Sequence, residues 1–140
     1  MPQSYDEVVL AELLLNIASE MPRARWYTTL CRDFESMLDR RATEASAVEA
    51  ELKELEGSIE SAWESYYESP IAPEERTAET MVGHRLLVEG LAGWMEAIKL
   101  CRTGAPREEA WAAAERANRL LVVVQYQARR LRGIVARRPK

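Results

Sequence analysis

The sequence contains few of the residues that mark cross-linked or membrane-embedded proteins. Its 140 residues include only two cysteines, Cys31 and Cys101, which excludes a scaffold held together by disulfides. The most apolar stretch, Val8 to Ala18, contains Glu12 and Asn16 and is shorter than the roughly 20 apolar residues of a membrane-spanning helix. We therefore expect no membrane span.

Glycine and proline are also scarce, with six of each, which excludes collagen-like and low-complexity chains. The apolar fraction of 47% is typical of a globular protein rather than a disordered one. Asp6 and Glu7 stand where a secretory signal would carry basic residues. These features predict one reduced, cytoplasmic domain over residues 1–140.

The residues that are abundant favour helices. Alanine, glutamate, arginine and leucine make up 71 of the 140 residues, and these are strong helix formers. No stretch alternates apolar and polar residues between turn signals, as a half-buried strand would. The composition predicts an all-α fold.

Helix-breaking residues divide the chain into four predicted helices. Met21-Pro22, the loop Ser69–Pro73 and Gly104-Ala105-Pro106 are the interruptions. Ser4 with Glu7 resembles a capping box, and Pro73 and Pro106 suit first helical positions. We predict helices over residues 5–19, 24–68, 73–103 and 106–136, followed by a short basic tail.

The second predicted helix carries the most regular pattern. Its seam alternates steps of three and four residues, as in a coiled coil, and runs through Ala24, Tyr27, Cys31, Phe34, Leu38, Arg41, Ala45, Val48, Leu52, Leu55, Ile59, Ala62 and Tyr66. Arg41 is the only position in this seam that is not apolar. The pattern predicts one long coiled-coil-like helix.

Helix lengths suggest an elongated antiparallel bundle. The third helix would return along residues 39–68, the first would cover residues 24–38, and the fourth would lie beside the later half of the second. Two alternatives stay open: the long helix breaks near Arg40-Arg41, or it extends alone and pairs with a second copy. Because a single elongated bundle exposes much apolar surface, we favour a homodimer.

Charge is segregated along the chain. Residues 1–73 have a net charge of −9, whereas residues 107–140 have a net charge of +6. In the acidic half, Glu56, Glu60 and Glu64 are spaced four residues apart, which weakens a helix but provides a face for a cationic partner.

The basic end of the chain contains Arg129, Arg130, Arg132, Arg137 and Arg138. It can pair with the acidic helix, within or between chains, or contact nucleic-acid phosphates or a membrane surface. Only Tyr126 is available nearby for base stacking, and the whole chain is acidic. Nucleic acid is therefore the second choice, after a protein partner.

No motif predicts catalysis, a cofactor or a metal ion. The single histidine, His84, has Met81 and Leu87 three residues away and lies in line with an apolar seam, which favours a packed or boundary position. Cys31 and Cys101 also fall on apolar seams and are expected to be buried thiols. Gly83, Gly90 and Gly93 lie inside the third helix, where they either allow a close neighbour or weaken the helix.

Four apolar residues of the second helix are candidates for binding another protein: Trp26, Leu30, Met37 and Trp63. Aromatic residues often anchor interfaces, although packing against the first or fourth helix is the competing interpretation. With the acidic face of Glu56, Glu60 and Glu64, they predict a non-enzymatic protein–protein interaction subunit that self-associates. Such a subunit acts as a scaffold, adaptor, inhibitor or chaperone-like component.

Overall fold

The computed structural model describes residues 2–68 and 77–137, with side chains described for residues 8–65, 77–78 and 80–127. These residues form helices and connecting turns without a strand, so the predicted all-α fold is confirmed. Six helices are present in this part of the chain: α1 (Pro2–Glu20), α2 (Arg23–Trp26), α3 (Thr29–Arg40), α4 (Ala45–Glu68), α5 (Ala78–Arg102) and α6 (Arg107–Arg137). None of these helices, over the residues described, is long and apolar enough to cross a membrane.

The prediction of a single helix over residues 24–68 is wrong, because this segment forms α2, α3 and α4. The alternative break near Arg40-Arg41 is confirmed, since residues 41–43 form a turn. Arg41 could not enter an apolar seam without burying its charge. Instead its guanidinium is half-buried and donates hydrogen bonds to the carbonyl oxygens of Cys101 and Ala105, at the end of α5.

A second break, at Tyr27-Thr28, was not predicted. Both residues have extended backbones, and Thr28 precedes the first turn of α3. In a continuous helix the carbonyl oxygen of Trp26 would accept a hydrogen bond from the backbone N–H four residues later. Here it accepts one from the buried Asn118 Nδ2 of α6, at 2.6 Å, so the Trp26 carbonyl stays paired despite the interruption.

Two predicted helix starts also differ. Because α1 begins at Pro2, Ser4 lies within the helix and is not its N-cap. The third predicted helix begins at Ala78, where Thr77 and Thr80 form a reciprocal capping box. The predicted start at Pro73 lies outside the described residues.

Helices α5 and α6 form the most extensive helix pair and run antiparallel. A Cβ atom added at Gly90 would lie 2.6 Å from Leu121 Cδ2, and one added at Gly93 would lie 2.9 Å from Ala117 Cβ. The two helices therefore approach closely because these positions have no side chain, which confirms the close-neighbour interpretation of both glycines. The turn between them uses Gly104, whose φ of +78° suits glycine.

The main core joins helices α2 to α6 around Trp94 and Phe34, whose rings meet edge to face at 5.4 Å. Helix α4 packs against α5 and α3, and α6 packs against α3 and α2. The fourth predicted helix was expected to lie beside the later half of the second. This placement is wrong, because α6 packs against α2 and α3, which form the earlier half of that segment.

Helix α1 belongs to a second, smaller core. The buried residues of this core are Ala11 and Ala18 of α1, Val82 and Leu86 of α5, and Leu120 and Val123 of α6. We expected the first helix to cover residues 24–38, but it packs against α5 and α6 instead. Helix α3, which contains most of residues 24–38, itself packs against α6.

Candidate protein-interaction surface

Helix α1 exposes an unusual number of large apolar side chains. We call this set the α1 face; its five members expose between 37% and 52% of their surface and are Val8, Val9, Leu13, Leu15 and Ile17. Elsewhere among the described side chains, the large apolar residues exposed to this degree are Met81 and Tyr126. The α1 face is therefore the main apolar surface in the described part of the molecule.

The sequence of α1 explains this exposure. A helix that covers a core needs one apolar side, which Leu10, Ala11, Leu14 and Ala18 already supply. The additional apolar residues flank that buried side, so they remain in solvent. The polar remainder of the described helix is narrow and consists of Glu12, Asn16, Ser19 and Glu20, all exposed.

The carboxyl end of α1 is fixed by a single arginine. Arg119 Nη1 of α6 donates a hydrogen bond to the carbonyl oxygen of Ser19 at 2.7 Å, and Arg119 Nη2 pairs with Glu115 at 2.9 Å. The same guanidinium lies 4.8 Å from the ring centroid of the buried Trp26. Arg119 thus joins the smaller core to the main core and holds α1 in position.

The four predicted apolar anchors are not equally accessible. Trp26 and Met37 are buried in the main core, exposing only 2% and 5% of their surface, so packing is the role that the structure gives them. Leu30 and Trp63 are half-buried against the same core. In this fold, Trp26 and Met37 do not line a free surface, and only the exposed parts of Leu30 and Trp63 can contact another protein.

The predicted acidic face is divided. Glu60 and Glu64 are exposed on α4, whereas Glu56 Oε2 pairs with Arg102 Nη1 of α5 at 3.1 Å. Arg102 also binds Glu49, and these hydrogen bonds raise the pKa of its guanidinium. Glu56 therefore helps to hold α4 on α5, while Glu60 and Glu64 present charge to solvent.

The basic residues Arg129, Arg130, Arg132 and Arg137 lie within α6, because this helix extends to Arg137. Their side chains, and Arg138 as a whole, are outside the described residues. Pairing of this end with the acidic helix stays a prediction. The acidic helix itself uses other described arginines, since Arg40 Nη2 pairs with Glu51 at 2.8 Å.

A second polar cluster joins the α2–α3 segment to α6. Glu35 accepts hydrogen bonds from the Tyr27 hydroxyl and Arg23, and Arg107 Nε lies 2.7 Å from Asp39 Oδ1. The bond to Glu35 raises the pKa of Tyr27, and the bond from Arg107 lowers the pKa of Asp39. Every charged member of this cluster has an opposite charge beside it, so the cluster is a structural joint.

The rings of Tyr27, Trp26 and Trp111 stand 6.0 to 6.2 Å apart, centroid to centroid, beside that polar cluster. Rings in mutual contact at this spacing leave no room between them for a ligand. The aromatic group therefore packs α2 against α6.

Groups capable of chemistry are scattered in the described part of the chain. Cys31 and Cys101 are free and buried, as predicted, and burial raises the pKa of both thiols, which disfavours the reactive thiolate. His84 is half-buried on α5, in agreement with a boundary position. Among the described residues, no three histidine, cysteine or acidic side chains are grouped to hold a metal ion.

Sequence reasoning missed the α1 face. The signal was present, because residues 8–18 are too apolar for a helix with one buried side. We used this stretch only to exclude a membrane span, and we expected the first helix to cover residues 24–38. No protein-family model, curated protein or solved structure matches this chain.

Proposed function

We propose that this chain is a non-enzymatic helical subunit that binds other protein chains, including a second copy of itself, through the α1 face. The observation that carries the proposal is the exposure of five large apolar side chains on one helix. Val9, Leu13 and Ile17, which are spaced four residues apart, form a continuous apolar stripe on one flank of α1, and contiguous apolar surface marks interaction sites in water-soluble proteins. Roles as a scaffold, adaptor, inhibitor or chaperone-like component in the cytoplasm agree with it.

Covering the α1 face contributes a favourable hydrophobic term to binding. Fully burying a valine, leucine or isoleucine side chain contributes about 1.5–3 kcal/mol, so covering the exposed half of each contributes about 1 kcal/mol. Five such side chains together contribute about 5 kcal/mol, which reaches the lower end of the roughly 4–15 kcal/mol cost of association, so polar contacts at the rim must add to them. A helix with an apolar side of its own is the natural partner, because two helices interlock their side chains along their length.

In this proposal, the acidic side of α4 that the sequence predicted provides a second, weaker contact. Trp63 is half-buried near Met95 and Lys99, and the exposed Glu60 and Glu64 follow on the same helix. The proposal also includes the elongated bundle that the helix lengths predict and the association of two copies into a homodimer. Exposed charges at the rim of an interface guide orientation and the rate of association more than affinity.

The test is capture of partners from the native lysate by the tagged full-length protein at low and high salt. We compare the natural chain with a Leu13→Gln, Ile17→Gln variant, which removes two members of the α1 face. Asn16→Gln is the matched control, because it places the same side chain on the polar side of the same helix. Circular dichroism verifies that all three proteins keep their helix content.

We expect proteins, including untagged copies of this chain, to be retained at both salt concentrations by the natural chain and the control, and lost from the double variant. Capture that is unchanged in the double variant contradicts a role for the α1 face. Retention of nucleic acid at low salt only, read from the 260/280 nm absorbance ratio, favours the alternative function through the basic end of α6.

A further inference from the structure

A groove runs along one edge of the α1 face, between helices α1 and α6. It has a volume of about 560 Å³, and Leu15, Asn16 and Ser19 line its α1 side. Ala112 and Arg116 are among the residues that line its α6 side. Because Leu15 also belongs to the α1 face and exposes 37% of its surface, the groove and the α1 face form one continuous surface.

Two arginines line this groove, and the charge of only one of them is already balanced. Arg119 pairs with Glu115 and donates a hydrogen bond to the carbonyl oxygen of Ser19. Arg116 is exposed and forms no ion pair within the described part of the chain. Its positive charge therefore favours a partner that brings a carboxylate to the groove.

Helix α1 itself carries such a carboxylate. Glu12 is exposed one turn before Leu15 and Asn16, and it also has no ion-pair partner among the described residues. Within one chain, Arg116 lies beside the later half of α1, with Asn16 and Ser19. A second α1 that crosses the first in the antiparallel direction would bring its own Glu12 over that later half. Helix α1 has no basic residue, so Arg116 of α6 supplies the charge that such a contact needs.

We propose that the α1 face and its groove receive helix α1 of a second copy in an antiparallel, two-fold symmetric contact. Leu15 of each copy is covered, and Glu12 of each copy pairs with Arg116 of the other. A two-fold contact requires a surface that is complementary to itself, and this surface holds both members of the ion pair. This inference rests on the function proposed above and specifies the partner of the same surface.

The test exchanges these two charges in the full-length protein, with mass measured by light scattering over a range of concentrations. One variant carries Glu12→Arg, a second carries Arg116→Glu, and a third carries both substitutions. The controls, Glu60→Arg and Arg32→Glu, make the same changes of charge at exposed positions on α4 and α3. Melting curves verify that each variant is folded.

We expect the natural chain and the controls to approach twice the monomer mass of 16.0 kDa. Each single reversal should weaken the dimer by about 10- to 100-fold, because like charges then meet at both of its ion pairs. The variant with both reversals should dimerise as the natural chain does, and so should an equimolar mixture of the two single variants. Recovery in the mixture requires that Glu12 and Arg116 meet between copies rather than within one.

Three results overturn the inference: a natural chain that stays monomeric, a mixture that associates as weakly as the single variants, or a control that is weakened as much as they are. The proposed function fails separately, when Leu13→Gln with Ile17→Gln leaves the capture of proteins unchanged. If that double variant abolishes capture while the charge reversals leave the mass unchanged, the α1 face binds protein but its occupant is not a second α1.

Discussion

At the scale of single residues, a few polar side chains decide where the chain turns. Arg41 binds the carbonyl groups of Cys101 in α5 and Ala105 in the following turn, and Asn118 binds the carbonyl of Trp26 at the end of α2. Arg41 was recognisable in the sequence, because it interrupts an apolar seam. Asn118 was not recognisable, because one asparagine in a long helix gives no indication of a distant backbone group that it will bind.

Replacing Asn118 with alanine tests this role. The substitution removes the hydrogen bond from Nδ2 to the Trp26 carbonyl, a group buried too deeply to bind water instead. The carbonyl would keep only the weak donor Cys31 Sγ, at 4.0 Å. Leaving a buried acceptor without a good partner costs about 1–3 kcal/mol. We expect the free energy of unfolding, measured by urea denaturation, to fall by that amount.

Asn16→Ala is the matched control for Asn118→Ala, because Asn16 is exposed on α1. Its effect on the free energy of unfolding should stay within about 0.5 kcal/mol. Equal effects of the two substitutions would show that the bond from Asn118 does not support the α2–α3 junction.

At the scale of helices, composition and breakers predicted the fold class and the turn at Gly104. The apolar seam over residues 24–66 correctly identified core positions such as Phe34, Leu38, Val48 and Leu52. It could not reveal that three helices share those positions, because a seam with steps of three and four looks the same across a short break. The sequence also did not predict which helices pack together, because the pairing of α5 with α6 depends on how closely their surfaces fit.

The close fit of α5 and α6 predicts opposite effects for two glycine-to-alanine substitutions. In Gly93→Ala, the new methyl group would lie 2.9 Å from the Cβ of Ala117, and neither group can rotate away. We expect the free energy of unfolding to fall by about 1–3 kcal/mol, as for other overpacked cores.

Gly57→Ala is the control, because Gly57 lies within α4 with no atom within 4 Å of a new Cβ. Alanine favours the helix there, so the free energy of unfolding should rise by about 0.5–1 kcal/mol. Thermal and urea unfolding measure both variants. A stabilising Gly93→Ala would contradict the close approach of α5 and α6.

At the scale of the whole molecule, helix α1 carries more large apolar residues than its buried side requires, and the excess is exposed. The predicted anchors Trp26 and Met37 are used inside the fold. The interaction surface could not be located from sequence, because its position depends on which side of α1 the smaller core covers.

The central claim is that the α1 face is where this protein binds another copy of its own chain. Amide hydrogen exchange of the natural protein, measured by mass spectrometry in dilute and concentrated solution, tests it most directly. We expect exchange in residues 8–20 to slow as concentration rises, because association holds α1 in its helical state, and to slow more than exchange in α4. Exchange in α1 that is the same at every concentration, or protection that appears on α4 instead, would contradict the claim.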